Sequence, residues 1–93
     1  IQMPKINAQI ATLFKQWLRS ALNAIEETKD DKLRLEDALQ SIWKSLQAWE
    51  IIANQSNDLV ARANIRGARK SIHLMITTRL KVNPDSHPEW RIH

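Results

Sequence analysis

Residues 35–53 read LEDALQSIWKSLQAWEIIA, and the spacing of their apolar side chains decides the fold. Leu35, Leu39, Ile42, Leu46, Trp49 and Ala53 recur at alternating four- and three-residue intervals. At 100° per residue these positions form one continuous seam, a heptad pattern sustained for nearly three repeats. The seam predicts a helix over residues 32–53. Asp30 and Asp31 stand before it as candidate N-caps.

Working outward from this helix, the same periodicity recurs on both sides. Upstream, Ile6, Ile10, Leu13, Phe14, Trp17, Leu18, Ala21 and Ile25 fall on one arc and predict a helix over 5–27, with Pro4 suited to its first turn. Downstream, Ala61, Ile65, Ala68, Ile72, Met75 and Ile76 predict a third helix over 58–82, capped by Ser56 or Asn57 and ended by Asn83-Pro84. The polar runs 26–31 and 54–58 read as short turns, which make neighbouring helices antiparallel. The expectation is an all-α fold, an up-down-up bundle of three long antiparallel helices. An irregular tail over 83–93 follows, with Trp90 as its one free aromatic. Trp17 and Trp49 are read as core, and Trp43 as the edge of it.

Composition agrees with this architecture. Ninety-three residues make one domain, 1–93, and a single Gly with three Pro argues against a β-rich fold. The absence of Cys excludes a disulfide scaffold and any thiolate metal site. The longest apolar run is three residues, so no bilayer span is expected. Ile1-Gln2-Met3-Pro4-Lys5 is not the pattern of a signal peptide. A soluble, cytoplasmic protein is expected.

The net charge of +4 is unevenly distributed. Residues 1–56 hold seven Lys/Arg and seven Asp/Glu; residues 57–93 hold seven Lys/Arg against three Asp/Glu. Between Leu59 and Pro84 there is no acid at all. A solvated helix usually mixes signs at four-residue spacing, and this one forgoes every such pair. Arg62, Arg66, Arg69, Lys70 and His73 project within about 100° of one another, opposite the apolar arc. Arg79 and Lys81 return to the acidic turn at 26–37 and are expected to pair there. The other four cations lie toward the far end of the bundle, where Glu50 is the only acid expected.

Arginines at fixed helical spacing suit phosphate oxygens, which guanidinium binds bidentately. The functional expectation is a small non-enzymatic module that contacts nucleic-acid backbone, DNA or RNA, through Arg62, Arg66, Arg69, Lys70 and His73. It would act as a subunit or accessory factor of a larger assembly. Leu33, Ile51, Leu74 and Leu80 fall off the core arcs and are read as the surface for a protein partner or a homo-oligomer. The alternative is a protein–protein adaptor whose basic end meets an acidic partner. His73, His87 and His93 show no metal-ligand spacing, and no cofactor is expected. Gly67, in the middle of the third helix, offers a close approach, a kink, or neither.

A third reading rests on the segment Arg66-Gly67-Ala68-Arg69-Lys70-Ser71-Ile72-His73. Its Arg and His, separated by six residues, resemble the Arg-x(4–6)-His signature of HEPN-type ribonucleases. Those enzymes are helical and assemble their site from two protomers. The resemblance implies Arg66 and His73 as the catalytic pair. It covers eight residues, and Gly67 replaces the polar residue that usually follows the Arg.

Overall fold

The computed structural model describes the backbone of residues 3–92 and the side chains of residues 9–92. Ile1, Gln2 and His93 lie outside the described residues, as does the side chain of Ile6. The chain forms α1 (Met3–Thr28), α2 (Lys32–Ser56) and α3 (Leu59–Met75), a π turn (Ile76–Leu80) continuing α3, and a 3₁₀ turn (Pro88–Trp90) in the tail. No strand occurs among the described residues. Every pair of helices is in contact. The molecule is elongated, 48 × 26 × 19 Å, as an antiparallel all-α bundle of long helices should be. Among the described residues, no helix is long and apolar enough to cross a membrane.

Short polar side chains set the two reversals. Thr28 Oγ1 donates back to Ala24 O at 2.8 Å in the last turn of α1. Asp31 caps α2, its Oδ1 accepting from the amides of Leu33 and Arg34 at 3.2 and 3.3 Å. At the second reversal α2 runs on to Ser56 before Asn57 enters the left-handed region at φ 55°. The amides of Asn57 and Asp58 then donate to Asn54 O and Ala53 O, each at 3.3 Å. This is the paired closure of a Schellman motif, with Asn tolerating the conformation usually given to Gly. Asp58, rather than Asn57 or Ser56, caps α3: its Oδ1 accepts from the Ala61 amide at 3.1 Å.

The core runs the length of the bundle and joins Phe14, Ala21 and Ile25 to the α2 seam and to Ala61, Ile65, Ala68 and Ile72 of α3. Two expectations about it need correction. Trp43 is only 2% exposed and is the largest fully buried side chain, whereas Trp17 and Trp49 are half-buried. They pack about Phe14, Trp17 tilted and Trp49 edge-on, with ring centroids 5.6 Å (Trp17) and 5.5 Å (Trp49) from it.

Leu80, expected on the surface, is 7% exposed and part of the core. On a straight α-helix it would stand about 80° round from Ile72. The π turn takes more residues per revolution and brings Leu80 back over the apolar arc. The hydroxyls of Thr77 and Thr78 both donate to Leu74 O there, at 3.0 and 2.7 Å. Helix three therefore stops at Leu80 instead of Val82, where Lys81 turns left-handed at φ 56°.

The tail is a strap rather than a loose end. Pro84 is fully buried and Trp90 is 3% exposed, so Trp90 is not available for stacking on a ligand. Two glutamines of α2, seven residues apart on one face, hold the strap. Gln40 Nε2 donates to Glu89 O at 3.0 Å, and Gln47 Nε2 to Trp90 O at 2.8 Å. Gln47 Oε1 in turn accepts from the Ile92 amide at 3.3 Å.

Candidate functional site

Trp43 of α2, one face of α3 and the strap enclose a groove of about 610 Å³. Arg66, Arg69, Lys70, His73 and Leu74 form one wall, Trp43 the floor and Asp85 the far rim. Four of the five cationic candidates therefore share one concavity. Arg62, one turn earlier, opens on a smaller recess of about 40 Å³ beside Glu50, Asn54 and Arg66.

The five candidates fall into two classes. Among the described residues, Arg62, Arg66 and Lys70 form no ion pair. Arg69, with Glu50 as the only acid expected nearby, is paired twice: Nη1 lies 3.3 Å from Glu50 Oε2, and Nη2 lies 3.6 Å from Asp85 Oδ1. Its guanidinium also sits 5.4 Å from the centroid of the Trp43 ring, within cation–π range. His73 Nε2 lies 3.4 Å from Asp85 Oδ2, and its ring lies 5.7 Å from that of Trp43, tilted by 55°. Asp85 is the acid that sequence reasoning missed. It belongs to the strap, which Arg91 closes by donating to Asp85 O at 2.9 Å.

The opposite pole departs from the expectation that Arg79 and Lys81 pair with its acids. Glu26 pairs with Lys29 within its own turn. That pairing holds the Glu26 carboxyl below its ordinary range, with a smaller contribution from Arg79 nearby. Helix three thus returns to the acidic end, but neither Arg79 nor Lys81 makes an ion pair among the described residues.

Of the apolar candidates, Leu33 (77% exposed), Ile51 and Leu74 (62%) are on the surface, and Leu80 is not. The three form no single patch: Leu33 and Ile51 are about 27 Å apart along α2, and Leu74 edges the groove. Ile52, Leu59 and Val60, exposed near Ile51 around the α2–α3 reversal, were not singled out from sequence. No three His, Asp or Glu among the described residues come together as a metal-binding group.

No protein-family model matches the chain, and no curated protein or solved structure shows significant similarity to it. The chemistry of the groove is the basis for a functional reading.

Proposed function

We propose that the protein is a non-enzymatic helical module that binds nucleic-acid backbone through the basic face of α3. It serves as a cytoplasmic subunit or accessory factor of a larger assembly. The observation that carries this reading is the row Arg62, Arg66 and Lys70, on successive turns with no acid paired to any of them among the described residues. Four-residue steps set them about 6 Å apart. That spacing suits consecutive phosphates, and backbone contacts of this kind position a nucleic acid without reading its sequence. DNA and RNA are both within the reading.

Salt dependence tests it. A fluorescently labelled oligonucleotide should bind at low ionic strength. Arg66→Ala combined with Lys70→Ala should weaken binding alike on all sequences. It should also flatten the slope of log affinity against log salt by about 2 for duplex DNA. Wild-type protein without salt-dependent binding to any DNA or RNA would turn the proposal toward its alternative, an adaptor for an acidic protein. The exposed Ile51, Ile52, Leu59 and Val60 favour that alternative as a docking surface. The ribonuclease resemblance is supported only by Arg66 and His73 lining one groove. Metal-independent RNA cleavage lost in His73→Ala would establish it.

A further inference from the structure

We propose that Arg69 and His73 form a phosphate subsite in which the Asp85 carboxylate is an internal competitor, seated where two phosphate oxygens would go. The inference rests on the basic-face reading above and adds the point on that face where a phosphate docks. The two oxygens of Asp85 are divided between the two side chains, Oδ1 at 3.6 Å from Arg69 Nη2 and Oδ2 at 3.4 Å from His73 Nε2. A guanidinium and an imidazole bridged by one anion offer the donors that a phosphate group uses.

Asp85 holds this place loosely. Both distances exceed the 2.7–2.9 Å of a strong charge-assisted bond, and more than half of its side chain is exposed. The donors, by contrast, each have a contact besides Asp85. Arg69 keeps Glu50 at 3.3 Å and the face of Trp43, and His73 keeps the Trp43 ring. Both would remain in position once Asp85 had turned away. Asp85 can turn without undocking the strap, because its backbone is held separately. Its amide donates to Asn83 Oδ1 at 3.1 Å, its carbonyl accepts from Arg91, and Pro84 beside it is buried. Arg66 and Lys70 line the same groove, so a phosphate entering there has further cations on the α3 wall that the short Asp side chain does not engage.

Asp85→Asn keeps the shape and removes the charge. Inorganic phosphate is titrated while the imidazole resonances of His73 and the Arg69 Nε–H are followed by NMR. Phosphate should bind Asp85→Asn about two- to fivefold more tightly than wild type, the scale of one exposed ion pair. Adding Arg69→Gln should abolish that gain. Equal or weaker binding to Asp85→Asn, or no response at His73, overturns the subsite. Oligonucleotides with a 5′-phosphate or a 5′-hydroxyl then separate the sources. A gain confined to the phosphorylated end identifies a terminal monoester, and an equal gain with both identifies the backbone diester. If neither oligonucleotide binds while inorganic phosphate still distinguishes the variants, the subsite stands and the nucleic-acid reading falls. Salt-dependent oligonucleotide binding that ignores Asp85 has the reverse meaning.

Discussion

Leu74 and Leu80 sit six residues apart on one helix and have opposite environments, 62% and 7% exposed. Leu80→Ala should cost about 2–4 kcal/mol, because it empties a packed site. Leu74→Ala should stay within about 0.5 kcal/mol of wild type. Chemical denaturation of the two variants checks this, and equal losses would contradict the role given to the π turn. Gly67 is the converse case. Its backbone is helical, and a Cβ added there would meet nothing within 4 Å. No close approach within the chain requires glycine. Gly67→Ala should therefore stabilise the fold by about 0.5–1 kcal/mol through helix propensity and a less flexible unfolded chain. A lowered melting temperature in that variant would mean that the position serves something outside the monomer.

At the scale of the element, the strap is joined to the bundle by a small set of named side chains. Trp90 and Pro84 bury its apolar surface, and Gln40 and Gln47 satisfy its backbone. A large-to-small change in a core costs about 3–5 kcal/mol for Trp, but a strap can leave instead of bearing a cavity. Trp90→Ala should accordingly raise amide exchange across residues 83–92 while the helicity of α1, α2 and α3 survives. Global unfolding at a much lower temperature would show that the strap is integral to the bundle. The α1–α2 turn carries a weaker device, the Glu26–Lys29 pair. The Glu26 carboxyl is lowered, so its contribution is present above its ordinary value of 4.5 and disappears as pH falls through the lower folded value. The Lys29 ammonium is raised, so its share is present below 10.5 and disappears as pH rises through the higher folded value. Both groups are on the surface, so the difference between wild type and Lys29→Ala in thermal melts should be small at neutral pH. It should shrink as pH falls below 4.5 through the lowered value of the Glu26 carboxyl, and be weakened by salt.

For the whole molecule, a long thin bundle of 93 residues has little core for its surface, and apolar side chains remain outside it. The protein-partner side of the proposal predicts self-association or docking through them. In sedimentation the average mass should rise above 10.8 kDa with concentration, and Ile51→Lys with Leu59→Lys should return it to that value. A constant monomer mass over the full range would remove homo-oligomerisation from the proposal.

The sequence by itself determined what depends on neighbours a few residues away. The three helices follow from apolar spacing, their reversals from the polar runs 26–31 and 54–58, and the basic face of α3 from the lack of acids between Leu59 and Pro84, although which residue caps α3 does not. These are periodic and capping effects, and they can be read along the chain. Only the tertiary structure decided which cations stay unpaired and which tryptophan is buried. Arg69 meets Glu50 from 19 residues away, and Gln40 and Gln47 meet the strap from more than 40 residues away. Helical angles place a side chain on a face but do not say what packs against that face. Leu80 was misread for a related reason: a single wider turn rotated its face, and the apolar period carries no mark of that turn until Leu80 is seen packed in the core.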